Sequence, residues 1–245
     1  MTDAIRLEQA TRSFGSGHTL VIALHPTDLT VAEGELVAVM GPSGSGKTTL
    51  LALVGGLDRP TGGHVSVAGQ DLAMLDTRGL AVLRRRTVGY VFQELNLLSG
   101  LTARENVTLP LELDGARLGV ARQAADEALA SVEMTELAER FPDDLSGGEQ
   151  QRVAIARAMV GGRRILLADE PTGALDSMNG ETVMRLLRRH CDDGGAALLV
   201  THDAAHAAWA DRVVFLRDGR IVDESRPAPG PEFVVHPAVP AMGAT

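Results

Sequence analysis

Lys47 is the single lysine among 23 basic residues; every other basic position is arginine. It lies in Gly41-Pro42-Ser43-Gly44-Ser45-Gly46-Lys47-Thr48-Thr49. Arginine presents a planar fork, whereas lysine is a compact point charge on a flexible stem. A chain that otherwise avoids lysine has kept one where a phosphate cradle needs it. The pattern G-x-x-x-x-G-K-[ST] is a P-loop. Its glycines let backbone N–H groups face phosphate oxygens, Lys47 reaches the β- and γ-phosphates, and the Thr48 hydroxyl ligates Mg²⁺. A second chemical group closes the run Arg164-Ile165-Leu166-Leu167-Ala168-Asp169-Glu170. Asp169 suits the hold on Mg²⁺, and Glu170 could orient or deprotonate an attacking water. Adjacent carboxylates at a buried strand end are costly without a cation or a task. A third group is Leu145-Ser146-Gly147-Gly148-Glu149-Gln150-Gln151-Arg152. Ser146 can cap a helix beginning near Gly147, whose free N–H groups form an anion site. One nucleotide could use the P-loop of one chain and this helix start of another.

These groups need elements to hold them. Glu35 to Met40 is a short apolar run that ends at the first glycine, and Thr49 to Val54 continues with helix-like content. Strand, glycine loop and helix aim a helix N-terminus at an anion. The stretch from about Ile5 to Val39 alternates apolar and polar residues and reads as antiparallel strands. Val65 to Val67 and Val88 to Phe92 read as further strands. From about Thr102 to Met159 the spacing is helical, with Pro110, Gly115, Gly119 and Pro142 expected to divide it into short helices. Ile165 to Ala168 and Ala196 to Val200 are continuous apolar runs of the kind buried in parallel sheets, joined by a helix over about Ser177 to His190. Val213 to Leu216 and Arg220 to Val222 flank Asp218-Gly219, a hairpin turn.

The bulk composition sets limits. A net charge of −9 argues against a nucleic-acid binder. The lone cysteine, Cys191, can form no internal disulfide, which fits a reducing cytosol. The N-terminus lacks the apolar core of a signal peptide, and no apolar run approaches the roughly 18 residues of a membrane span. Another chain would have to hold this one at a membrane.

The motifs, in this order and spacing from about Ile5 to Glu224, resemble those of the nucleotide-binding subunit of an ABC transporter. Gly41 to Thr49 resembles the Walker A motif, Leu145 to Gln150 the ABC signature, and Leu166 to Glu170 Walker B with its catalytic glutamate. Gln93 resembles the glutamine that contacts Mg²⁺ and the attacking water. Ala174-Leu175-Asp176 looks like the D-loop and Thr201-His202-Asp203 like the switch histidine. Phe14 falls where the family places an aromatic that stacks on adenine. Within the family, Phe92 to Leu98, Leu101 to Val107 and Pro171 to Asp176 resemble the branch serving lipoprotein-releasing, macrolide-efflux and cell-division permeases. One departure is Gly161-Gly162-Arg163-Arg164, where the family often has an Asn-Pro turn; glycine can make a turn there.

The resemblance implies an α/β P-loop NTPase of the ABC ATPase fold: a RecA-like core, an N-terminal antiparallel β subdomain and an α-helical signature subdomain at about 95–160. It implies one nucleotide-binding domain over 1–226, with a Pro-rich tail, 227–245, expected to be mostly disordered. ATP and Mg²⁺ would be bound by Phe14, Gly41, Ser43, Gly44, Ser45, Gly46, Lys47, Thr48, Thr49, Gln93, Asp169 and His202. Ser146, Gly147 and Gly148 would donate to the γ-phosphate from a second chain, with Gln150 and Asp176 also in the nucleotide site. Thr48, Gln93 and Asp169 would serve the metal, and Glu170, His202, Gln93 and Lys47 catalysis. His202 would hold the γ-phosphate, its neutral imidazole offering one donor and one acceptor. The expected partners are a second nucleotide-binding subunit, the same chain or another, and a membrane permease contacted through about Glu94 to Val107. There Leu95, Leu97, Leu98 and Leu101 form an apolar notch or else ordinary core. The expected location is the cytoplasmic face of the membrane, with no nucleic acid bound.

Two other classes remain: a soluble ABC ATPase acting on DNA, ribosomes or cofactor assembly, and a nucleotide-gated scaffold. The short stretch between Gln93 and Leu145 has no room for the coiled coils of DNA-repair relatives, and intact Glu170 and His202 count against a scaffold. Of the weaker signals, His202 and His206 lack a third metal ligand nearby. Arg84-Arg85-Arg86 reads as a solvated helix end, or as a contact for lipid headgroups or an acidic partner. Cys191, Trp209 and Tyr90 read as packing residues.

Overall fold

The computed structural model describes residues 3–173 and 177–226. Asp176, expected in the nucleotide site, and the Pro-rich tail from Pro227 lie outside the described residues. The alternating N-terminal sequence forms β1 (Asp3–Phe14) and β2 (Val21–Ala32), paired antiparallel. The next strand, β3 (Leu36–Met40), corrects the expectation that the antiparallel set runs on to Val39. It leaves that sheet and lies parallel between the strands at 196–200 and 212–217. The reason is its burial: Leu36, Val37, Ala38 and Val39 are each 0% exposed, so both faces of the strand need cover.

After the P-loop come α1 (Lys47–Val54), β4 (Gly62–Val67) and β5 (Gln70–Asp71). The first sheet has the order β2-β1-β4-β5. α2 (Thr77–Arg86) is capped by Asp76, whose carboxylate accepts from Gly79 N at 2.7 Å, and leads into β6 (Val88–Val91). α3 (Ala103–Leu113), α4 (Leu118–Ser131) and α5 (Gly147–Met159) make the helical region. β7 (Ile165–Asp169), α6 (Ser177–Asp192), β8 (Ala196–Val200), the short α7 (Ala204–Ala207), β9 (Arg212–Arg217) and β10 (Arg220–Ser225) complete the chain. The second sheet has the order β10-β9-β3-β8-β7-β6 and is parallel except for β10. Asp218 and Gly219 turn the last hairpin at φ 49° and 69°, as an Asp-Gly turn requires.

Each face of the six-stranded sheet has its own core. Leu36, Ala38, Leu166, Ala168, Ala197 and Leu199 face the helical region, with Val107, Leu129, Ile155 and Leu187. The intervening Val37, Val39, Ile165, Leu167, Leu198 and Val200 face α1 and the antiparallel sheet. This is the period of two expected of a strand, with apolar residues on both sides.

Two expected helix breaks do not occur. Pro110 lies inside α3, and Gly119 lies in the first turn of α4. The Thr102–Glu105 capping box and buried Val107 hold α3 against the loss of one backbone bond. The N–H of Gly119 has no intrahelical acceptor to lose. Gly115, at φ 87°, does end α3. The arginine run is also less solvated than expected. Arg84 donates to Gly56 O at 2.5 Å, and Arg85 and Arg86 share Asp114. Cys191 is packed as expected: it is buried, its thiol lies 3.6 Å from Glu35 O, and burial pushes its pKa up to about 12.

Candidate functional site

The loops that follow β3, β7 and β8 leave the same end of the sheet, because these strands are neighbours in register: Val39 opposes Val200, and Asp169 opposes Val200. Ligands of open parallel sheets bind beyond the carboxyl ends of the strands. A cavity of about 620 Å³ lies there. Of the expected residues it gathers Gly41, Ser43, Gly44, Gly46, Lys47, Thr48, Thr49, Gln93, Asp169, Glu170 and His202.

Two glycines shape its floor. A Cβ on Gly41 would collide with the Leu216 carbonyl and approach Ser45 Oγ to 2.8 Å. Gly46, at φ 103°, caps α1 without a side chain, and a Cβ there would collide with the Ala23 carbonyl. α1 therefore opens with its first N–H groups directed at the cavity and no side chain across them. Lys47 is folded back, its Nζ donating to Gly41 O at 2.8 Å and Pro42 O at 2.9 Å. Ser45 is turned inward. Its Oγ is buried and has no hydrogen-bond partner among the described residues.

The carboxylates differ in setting. Asp169 is 7% exposed. Burial raises its pKa, a hydrogen bond with Thr48 lowers it, the charge of Glu170 raises it and that of Lys47 lowers it. Glu170 has φ 47°, a left-handed conformation uncommon for a side-chain-bearing residue. Its N–H donates to Val200 O at 2.9 Å, and its Oε2 meets His202 Nδ1 at 2.9 Å. The hydrogen bond and charge of Glu170 raise the pKa of His202. His206 turns away, to Thr172 Oγ1 at 3.0 Å and Asp203 at 3.3 Å.

The remaining expected residues stand apart from this cavity's lining. Phe14 ends β1 and is 44% exposed. The Arg12 guanidinium covers one face of its ring at 4.4 Å, held by Asp58 at 2.6 Å. Ser146 caps α5, with Glu149 Oε2 accepting from Ser146 N at 2.8 Å and from its Oγ at 2.9 Å. Gly147 is open to solvent on its Cβ side, and Gly148 follows it in the first turn. Gln150 points back, donating to Pro142 O at 2.9 Å and Leu145 O at 3.1 Å.

Sequence reasoning missed Arg12, Asp58, Arg157 and Arg163. Arg12 had a local signal, since residues two apart share a strand face. Arg157 donates to Leu95 O and Asn96 O, both at 2.6 Å, and so ties the C-terminal end of α5 to the segment after Gln93. Arg163 is 5% exposed and donates to three carbonyls just where the Gly161-Gly162 turn replaces the expected one. Neither had a signal in its own segment.

Comparison with known proteins bears on the whole chain. The sequence pattern of the ABC transporter family matches residues 24–173. The macrolide export ATP-binding/permease protein MacB of Azoarcus sp. (strain BH72) is 46% identical over 239 residues, which is 96% of this chain and 36% of that protein. MacB of Hyphomonas neptunium is 47% identical over 221 residues, 90% of this chain and 34% of that protein. The chain thus spans about a third of the length of the curated relatives it matches. Among solved structures, the ATP-binding cassette MJ0796 in a dimeric post-hydrolysis state bound to ADP and Pi superposes with a TM-score of 0.85 at 41% identity. That match covers 91% of this chain and 99% of the other. A second dimeric structure of MJ0796, described as a bacterial ABC transporter cassette, gives the same TM-score at 42% identity. With an α/β core, a phosphate loop at the carboxyl ends of its parallel strands and relatives of this kind, the chain belongs to the ABC transporter family and is an ABC ATPase cassette that binds ATP.

Proposed function

We propose that this cassette dimerises on ATP, hydrolyses it between the two chains and drives a membrane permease, for export or mechanotransmission. One observation carries the reading. Lys47, Thr48, Gln93, Asp169, Glu170 and His202 meet at one cavity, while Ser146, Gly147 and Gly148 are absent from its lining. A nucleotide bound there would find its second set of anion donors only on a partner. Residues 1–226 would form the nucleotide-binding domain, with Asp176 at the dimer contact.

ATP would lie with its phosphates on Gly44 to Thr49 and its adenine on the face of Phe14 that Arg12 leaves free. Thr48, Gln93 and Asp169 present oxygen donors, the set a hard cation takes, and burial beside Glu170 already favours a cation at Asp169. They would hold Mg²⁺, which supplies charge neutralisation to phosphoryl transfer when bound. Glu170 would polarise the attacking water. With Nδ1 of His202 tied to Glu170, the Nε2 edge remains for the γ-phosphate. The raised pKa of the ring favours the form in which that nitrogen donates. Lys47 would exchange its two carbonyl partners for phosphate oxygens.

Export agrees with relatives named macrolide export proteins. Among the described residues no helix is long and apolar enough to cross a membrane. The permease would contact the chain along Glu94 to Val107 and hold it at the cytoplasmic face. Leu98 is 49% exposed there, Leu95 and Leu101 are half-buried, and Leu97 packs against the core. The test is to mix two inactive chains, Lys47→Ala and Ser146→Arg. Mixed dimers contain one site built from an intact P-loop and an intact signature, so phosphate release should return. Absence of recovery, with mixed dimers formed, would rule out a site shared between chains.

A further inference from the structure

His202 and His206 both face the loop that follows β7, and the hydrolysis reading uses only the first. The His202 side chain meets Glu170 and is 73% exposed, whereas that of His206 is 17% exposed. His206 lies in α7, beside a groove of about 380 Å³ that Glu170, Thr172, Gly173 and Asp203 also line.

The His206 ring joins three segments. Its Nδ1 lies 3.0 Å from Thr172 Oγ1, in the turn after Glu170, and 3.3 Å from Asp203 Oδ2, next to His202. Both neighbours are oxygens, and an ionised carboxylate only accepts. Nδ1 therefore carries a hydrogen, with Asp203 fixing that tautomer. Asp203 is itself anchored. Its Oδ1 accepts from Ala205 N at 2.8 Å as the cap of α7, and its N–H donates to Thr201 Oγ1 at 3.1 Å. On another side the ring lies against α6, where a Cβ on Gly180 would come within 3.0 Å of Nε2. A glycine stands where the ring needs room.

The turn held in this way is the one that carries Glu170. Gly173 N donates to Glu170 O at 3.1 Å and closes the turn over Pro171 and Thr172. Glu170 sits at φ 47°, a conformation that costs a side-chain-bearing residue free energy and persists only where its surroundings hold it. Val200 O holds its N–H from one side. Thr172, buried two residues further on, is held by His206 from the other. We propose that His206 is a positioning residue for hydrolysis. Through Thr172 it pins the Glu170 turn to the segment that carries His202, so that Glu170 and His202 stay opposed. The inference rests on the hydrolysis reading above and adds a residue to it. The two histidines then have separate tasks, one at the nucleotide and one behind it.

Steady-state phosphate release is measured for the full chain and its variants. His206→Leu keeps the bulk but removes the donor. It should lower kcat about tenfold and leave the KM for ATP within about twofold, as expected when one hydrogen bond that positions a reacting group is lost. His206→Asn, whose amide can place a donor near the Nδ1 position, should recover most of the loss. Thr172→Val should match His206→Leu, and Thr172→Ser should stay close to wild type. The double variant, His206→Leu with Thr172→Val, should fall no further than either alone, because both remove the same bond. Unchanged kcat in His206→Leu, equal loss in His206→Leu and His206→Asn, or losses that multiply in the double variant would overturn the proposal. If His206→Leu does not fold, the Thr172 pair decides: loss with valine and retention with serine support the clamp, and equal activities sink it. Glu170→Gln, measured in parallel, separates the two readings. Hydrolysis lost there but kept in His206→Leu removes only the role of His206. Equal phosphate release from Glu170→Gln and wild type removes the hydrolysis reading and the proposal with it.

Discussion

α1 and α5 both have a glycine at or next to their first residue and N–H groups that suit an anion, yet they treat those groups in opposite ways. α1 starts at left-handed Gly46 with no side-chain cap, and its N-terminal end faces the large cavity. α5 starts at Ser146, where a capping box already supplies the chain's own anion, the Glu149 carboxylate. The Ser146 N–H holds the Glu149 carboxyl below the usual glutamate range. A helix start left bare within a cavity is maintained by the glycine loop around it and is free to receive a ligand in the lone chain. A helix start capped from within its own sequence is stable by itself and can be presented to a partner. Under the proposed function, the contrast would let one chain carry two phosphate-directed helix ends without their competing for one nucleotide.

The largest expected effect tests whether hydrolysis occurs between these ends. Glu170→Gln should lower phosphate release by about 10²- to 10⁴-fold while ATP binding persists, the range for loss of a general base. Equal release from both proteins would support a nucleotide-gated scaffold. Lys47→Ala should weaken ATP binding by the isolated chain by roughly 10- to 150-fold, the loss of a hydrogen-bonded charge. Ser146→Ala should leave that affinity unchanged and cost about 1 kcal/mol of stability through the lost cap. Titration of labelled nucleotide against both variants separates the two helix ends, and a similar loss of monomer affinity from Ser146→Ala would erase the distinction.

Acid sharpens the same contrast. The folded-state pKa of Glu149 is lowered, so its cap contributes above the unfolded value of about 4.3 and is lost as pH falls through the folded value. Glu149→Gln should therefore flatten the acid limb of the melting temperature. At the cavity the sign is opposite. The His202 pKa is raised by Glu170, so that pair contributes fully below the unfolded histidine value and is lost as pH rises through the folded one. Glu170→Gln should lower the His202 pKa in an NMR titration. The smallest effect is expected at Arg12→Ala, which removes the cation from the back of Phe14. It should raise the KM for ATP by about two- to fivefold, the size of an exposed cation–π contact, with kcat unchanged.

Much of the nucleotide cavity could be read from the chain because its parts are short contiguous motifs. Gly41 to Thr49 contains its own turn residues, its own cation and its own helix start, so local rules suffice. The Asp218-Gly219 hairpin and the Ser146 cap were legible for the same reason. β3 was misassigned in pairing because its sequence states that it is buried on two faces but not which strands flank it. Pro110 and Gly119 were overvalued as breaks because packing of Val107 and Ala121 outweighs a local preference.

The sequence alone determined the phosphate loop, the carboxylate pair, the capped signature helix and the strand–helix alternation, since each follows from neighbours a few residues apart. Tertiary structure decided that Glu170 meets His202, that Thr172 meets His206, and that Asp58 holds Arg12 behind Phe14. Those contacts join residues whose separation is set by strand order and helix packing, and no local period or turn preference encodes which distant side chain will lie opposite.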